Sequence, residues 1–170
     1  MMPKIQKLLY ATDLSKNAAY ALRYAFYLAK KLDARIVILH VVEKMSSDAQ
    51  ITLQTYLDKA DRKKVLAQRV EHATERVKER LELFCEKEFQ NDPDCRNKVV
   101  SIDVCEGYPA EEILNKAEAL NCDIIVMGAH EKGLTHTFLG SVAKSVLRRS
   151  RQPAFIVPLP SGEIDLSAHD

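Results

Sequence analysis

Short β-branched apolar runs alternate with longer stretches whose apolar residues recur every three or four positions, which predicts strands and helices in turn. KIQKLLYA (4–11) reads as a first strand, and TDLS follows it. Over 17–32, Ala18, Ala21, Leu22, Ala25, Leu28 and Ala29 share one helical face, with Asp13 or Ser15 placed to cap the helix. ARIVILHVV (34–42) and CDIIVMG (122–128) are near-continuous apolar runs, as expected of parallel strands covered on both faces. Val100, Ile102 and Val104 alternate in a strand over 97–107, and PAFIVPLP (153–160), flanked by prolines, suits an edge strand. Helical spacing fills 62–90, 109–120 and 140–150. In the longest of these, Leu66, Val70, Ala73, Val77, Leu81 and Phe84 form a seam that a coiled coil would produce, but a helix lying on a sheet is the expected source. Residues 43–61 keep no steady period and are expected to form a long, partly mobile connection, and 161–170 a loose tail.

Strands alternating with helices imply an α/β fold: an open parallel sheet with right-handed crossovers, in a single domain over residues 1–160. Ligands of such sheets bind outside the carboxyl ends of the strands, so the residues after Tyr10, Val42, Val104 and Met127 carry the functional question.

Composition narrows the classes. At 170 residues, with 46% apolar and 29% charged residues, the chain is an ordinary soluble domain. A net charge of +1 removes the field that nucleic acid or an anionic membrane would exploit, so neither is an expected partner. No run approaches the roughly 18 apolar residues of a membrane span, and Asp13 interrupts the first apolar run before a secretory core is complete. Cys85, Cys95, Cys105 and Cys122 form no C-x-x-C pair, and a domain of this size needs no staple, so reduced thiols in a cytoplasm are expected. Neither these nor the five histidines show zinc-ligand spacing.

The loop after the first strand, ATDLSKNA, has no glycine and so cannot be a dinucleotide fingerprint. It offers Asp13, either as a helix cap or as a ligand contact. A receiver domain is excluded too: Asp103 lies near the third strand's end, but an acidic pair and a late Lys are missing. After the fourth strand, GAHEKGLTHTFLGS (128–141) holds Gly128, Gly133 and Gly140, three of the five glycines in the chain. Glycines permit positive φ and close backbone approach, and Gly140-Ser141 opens a helix whose N-terminus favours an anion. His130 adds a donor, and together these parts make a phosphate cradle; a purely structural turn is the plainer alternative. Leu134 occupies the place of the P-loop lysine, which excludes that motif.

ATDLS, LHVV, EGYPAEEI and CDIIVMGAH…LGSVAKSVLRRSRQPAFIVP, in that order over residues 3–159, resemble the universal stress protein family, the last block being the specific one. The resemblance implies a five-stranded parallel sheet of order 3-2-1-4-5 with helices on both faces, Rossmann-like and similar to the adenine nucleotide alpha hydrolase fold. It also implies ATP with Mg²⁺ as the ligand. Adenine and ribose would lie at Thr12, Asp13 and Val41, and the phosphates along Met127, Gly128, His130, Gly140, Ser141 and Val142. Of the family's G-x2-G-x9-G-[ST] pattern, Gly128 and Gly140-Ser141 match; Glu131 replaces the middle glycine, and the loop beyond it is one residue short. Glu131 would then help hold Mg²⁺, or point outward with Gly133 taking the tight turn, or mark a branch that binds no nucleotide. The resemblance further implies a homodimer through the last strand, residues 154–158, and a non-enzymatic regulatory role in the cytoplasm. The alternative is a nucleotide-independent dimeric interaction module. An enzyme is the least expected, since this loop offers only His130, Glu131 and His136 as acid–base groups. Lys144, Arg148, Arg149 and Arg151 read as cations complementing a helix C-terminus.

Overall fold

In a computed structural model, which describes residues 2–90, 93–129 and 139–160, the chain runs β1 (Lys7–Thr12), α1 (Lys16–Leu32), β2 (Arg35–Glu43), α2 (Ser47–Tyr56), α3 (Lys59–Phe89), α4 (Pro93–Lys98), β3 (Val99–Gly107), α5 (Pro109–Ala119), β4 (Ile124–Gly128), α6 (Ser141–Arg149) and β5 (Ala154–Val157). The five strands are all parallel, in the order β3-β2-β1-β4-β5, so the sheet is the one expected and β5 is an edge. The tail at 161–170 lies outside the described residues.

Strand side chains alternate between two cores because the pleat has a period of two. Leu8, Tyr10, Ile36, Ile38, Ile124 and Val126 face α1 and α3, where Phe26 and Phe84 are fully buried. Leu9, Val37, Leu39, Ile125 and Met127 face α5 and α6, meeting Ile113, Ala117 and Val146. Burial on both faces explains the unbroken apolar runs of β2 and β4.

The α3 seam is a helix lying on the sheet, since Ala73, Val77, Leu81 and Phe84 are buried against it while Leu66 and Val70 are half-buried. Two expectations are corrected. The stretch 43–61 contains α2, capped by Ser46, whose Oγ accepts the Ala49 N–H (3.3 Å). None of its residues is buried, so no apolar stripe could reveal it. Periodicity reports burial, and this helix is held by its cap and by local bonds such as Thr52 Oγ1 to the Asp48 carbonyl (2.9 Å). The thiols are also not all reduced: Cys85 and Cys95 form a disulfide with Cα atoms 5.8 Å apart, leaving Cys105 and Cys122 free. Cys85 sits at the end of α3 and Cys95 in α4, so only the reversal between the two helices brings the sulfurs together. Burial raises both free thiols, Cys122 to about 11.

Candidate functional site

β1 lies between β2 and β4, so the chain leaves it in one direction first and in the other later, and this switch point opens a crevice at the carboxyl ends. A cleft of about 510 Å³ occupies it. Ala11, Leu39, Val41, Ile113 and Met127 give it an apolar floor. Thr12, Asp13, His40 and Glu43 form one wall, and Gly128, Gly140, Ser141 and Val142 the other. Thus Thr12, Asp13, Val41, Met127, Gly128, Gly140, Ser141 and Val142, read from separate strand ends, line a single cleft. His130 and Gly133, with Glu131 and His136, lie outside the described residues.

The first wall is a tightly determined turn. Thr12 Oγ1 accepts the Leu14 N–H (3.0 Å), Asp13 Oδ1 accepts the Ser15 N–H (2.9 Å), and Ser15 Oγ caps α1 by accepting the Ala18 N–H (3.1 Å). Both sequence readings of the capping position are thereby resolved: Ser15 is the cap, and Asp13 braces the turn before it. Leu14 has φ 62°, a left-handed conformation costing roughly 1–2 kcal/mol for an L-residue. Its buried side chain and the turn's hydrogen bonds hold it there. Tyr10 anchors the same segment from below, its hydroxyl donating to the Ala18 carbonyl (2.6 Å). Burial pushes that phenol well above its ordinary value, so it remains a donor.

The second wall departs from the expected use of glycine. Gly140 has φ −68°, and Gly128 likewise avoids the left-handed region. Gly128 is needed for close approach: a Cβ there would lie 2.5 Å from Asn17 Oδ1. Asn17 is buried, and its amide donates to the Val157 carbonyl (3.1 Å), so it ties the start of α1 to the ends of β4 and β5. Sequence reasoning passed over Asn17 because its role depends on a contact 140 residues away. Gly140 N–H donates to the Ala129 carbonyl (2.7 Å), closing the base of the intervening loop. As the N-cap of α6 it offers no side chain to cover the helix end, and Ser141, Val142 and Ala143 of the first turn line the cleft. This end can accept an anion by backbone donors and helix dipole.

The electrostatics are mixed. Among the described lining residues, Asp13 and Glu43 are the carboxylates, and neither Lys nor Arg contributes to the lining. Glu43 is held at the rim by Arg69, whose Nη2 donates to the Glu43 carbonyl (3.1 Å) while Nη1 pairs with Glu106 (3.2 Å). Nearby, the Lys44 ammonium sits 5.0 Å from the Tyr108 ring centre. Among the described residues, no group of three His, Cys, Asp or Glu side chains is arranged to hold a metal ion. Of the cations at the far end of α6, Arg149 pairs with Glu111 (4.0 Å) and Arg151 with Glu118 (3.7 Å).

The sequence matches the universal stress protein family model over residues 4–158. The chain belongs to that family. Universal stress protein MJ0577 of Methanocaldococcus jannaschii is 31% identical over 157 residues, which is 89% of this chain and 94% of that protein. The solved structure of MJ0577 superposes with a TM-score of 0.68 at 25% identity, covering 94% of this chain and 100% of its own. UspA of Lactobacillus plantarum gives the same TM-score at 18% identity, covering 92% and 99%. A universal stress protein solved in complex with cAMP gives 0.55 at 20% identity, covering 91% and 98%. The last two likenesses bear on the fold.

Proposed function

We propose that this family member binds an adenine nucleotide, with ATP and Mg²⁺ as the expected ligand, and acts without catalysis as a dimeric cytoplasmic regulator whose state follows its nucleotide. The observation that carries the reading is convergence: the ends of β1, β2 and β4 and the start of α6 line one cleft of about 510 Å³, a size suited to a nucleotide-scale ligand. Its parts match the ligand's parts. The floor from Leu39, Val41 and Met127 suits a base, the Thr12–Asp13 turn suits a sugar hydroxyl, and the start of α6, with glycine as its N-cap, suits phosphate. The cAMP bound by the family member above belongs to that protein, and the nucleotide reading here rests on the cleft.

Mg²⁺ fits only as a partner of the phosphates, since the described residues supply no ligand cluster of their own. Bound there, it would neutralise phosphate charge, and Asp13 and Glu43 are the carboxylates among the described lining residues that would help hold it. The non-enzymatic part rests on the family resemblance; the acid–base candidates of the sequence, His130, Glu131 and His136, lie outside the described residues. Dimerisation is proposed through β5, an edge strand on which Phe155 is 37% exposed, with residues 154–158 as the contact. Among the described residues no helix is long and apolar enough to cross a membrane.

Equilibrium titration with ATP and Mg²⁺ tests the reading, and saturable binding is expected. No binding at millimolar ATP to a folded protein would overturn it. The nucleotide-independent module is favoured by one observation, the two carboxylates and no cation among the described lining residues. Mass spectrometry of the purified protein separates the two, because a co-purified adenine nucleotide is expected only under the first. Light scattering that reports a monomer at micromolar concentration would overturn the dimer.

A further inference from the structure

His40 lies on β2 in register with Thr12, the last residue of β1, and lines the cleft. Its Nδ1 is 2.7 Å from the Thr12 carbonyl oxygen. A carbonyl oxygen only accepts, so Nδ1 carries the proton, and in the neutral imidazole Nε2 is left as the unprotonated nitrogen. The histidine is thus fixed in one tautomer and one ring orientation by the end of the neighbouring strand.

The residue it grips is the root of the turn that bears Asp13. The bonds from Leu14 N–H to Thr12 Oγ1 and from Ser15 N–H to Asp13 Oδ1 are local to the turn, and the left-handed Leu14 opposes them. The His40 bond comes instead from a different strand, 28 residues away in sequence, and ties the turn to the sheet. We infer that His40 is a positioning residue of the cleft: through the Thr12 carbonyl it sets where Asp13 stands relative to a bound nucleoside. This inference rests on the nucleotide reading above. His40 itself lines the cleft, but the role requires no contact between its ring and the ligand.

The test compares His40→Asn with His40→Leu. Asn carries an N–H donor the same number of bonds from Cα as His Nδ1, whereas Leu has similar bulk and no donor. Titration of each with ATP and Mg²⁺ is expected to show affinity falling about tenfold for His40→Leu, because without a bond worth about 1.4 kcal/mol the turn of the free protein leaves its binding position. His40→Asn is expected to stay within about threefold of the native protein, a rescue that bulk alone would not produce. Nitrogen NMR of the native protein without nucleotide is expected to place the proton of the neutral ring on Nδ1. Failure of the native protein to bind overturns the nucleotide reading, and this role with it. Native binding with His40→Leu unimpaired, or with both variants impaired alike, overturns the positioning role alone. If His40→Leu does not fold, the tautomer decides: a neutral ring protonated on Nε2 overturns the assignment.

Discussion

The two ends of the sheet differ in what they leave open. At the amino ends of the strands, polar groups are joined across the fold. Asp123 Oδ2 accepts the N–H groups of Gln6 and Lys7 (2.7 and 2.9 Å), Lys7 Nζ donates to the Leu120 carbonyl (2.8 Å), and Lys98 pairs with Asp33 (2.8 Å). Arg96 pairs with Glu82, and the Cys85–Cys95 disulfide lies beside Phe84, whose ring packs 5.0 Å from Phe26 and 5.9 Å from Phe89. At the carboxyl ends the sheet instead leaves a cleft, a left-handed leucine, and a helix start whose cap has no side chain. Both ends are braced by long-range bonds, but one is closed over while the other, held by Asn17–Val157 and His40–Thr12, is left open. Left-handed residues occur at both ends, Leu14 at the open one and Asp33, Gln90 and Asn121 at the other, so unfilled space is what sets the carboxyl end apart. The two ends should therefore answer to different perturbations.

The largest effect is expected from Gly140→Asp. Asp is a favourable N-cap, so the fold should survive. Its carboxylate would face the phosphate position, where two unit charges 4 Å apart repel by about 4 kcal/mol at an effective dielectric near 20. ATP affinity should fall at least about a hundredfold at an unchanged melting temperature. Native-like affinity would remove the start of α6 from the site. Reducing the disulfide should do the reverse. Opening a cross-link across so short a loop costs about 2–3 kcal/mol by chain entropy, visible as a lower denaturation midpoint, while ATP titration should read the same.

These two results would also mark what was legible in the sequence. The parallel strands were, because burial on both faces writes an unbroken apolar run, and with them the strand ends that line the cleft. Three kinds of feature were not. α2 buries nothing and so left no period. The pairing of Cys85 with Cys95 depends on how α4 folds back beside α3. Asn17 and His40 act through partners set by sheet register and helix docking, Val157 and Thr12, which no local pattern encodes. Gly128 was legible as a glycine of the site, yet its reason, the Asn17 side chain against its Cα, was not.

That last point gives a finer test within the open end. Gly128→Ala would press a methyl group to 2.5 Å from Asn17 Oδ1, on a buried amide already bonded to Val157, and should cost about 1–3 kcal/mol by thermal or urea unfolding. Gly107→Ala meets the Glu112 side chain at 2.6 Å, but that chain is flexible and half-buried, so the cost should stay under about 1 kcal/mol. Equal costs would deny Asn17 its bracing role. The smallest effect belongs to the closed end. Lys98 holds the Asp33 carboxyl below its ordinary 3.8, as Arg96 holds Glu82 below 4.5. A lowered folded-state value means stability present above the ordinary range and lost as pH falls through the lowered values. The melting-temperature gap between the native protein and Lys98→Met should therefore be small at neutral pH, shrink in salt, and close below pH 3.8. A gap that persists in acid would assign it to packing.

The central claim is that the open end is a nucleotide site, and amide chemical-shift mapping during titration with ATP and Mg²⁺ tests it most directly. Saturable shifts are expected at Thr12, Asp13, Val41, Met127, Gly128, Gly140, Ser141 and Val142, with Gln6, Lys7, Cys95 and Lys98 at the closed end unmoved. Shifts centred on the closed end, or none at millimolar nucleotide, would contradict it.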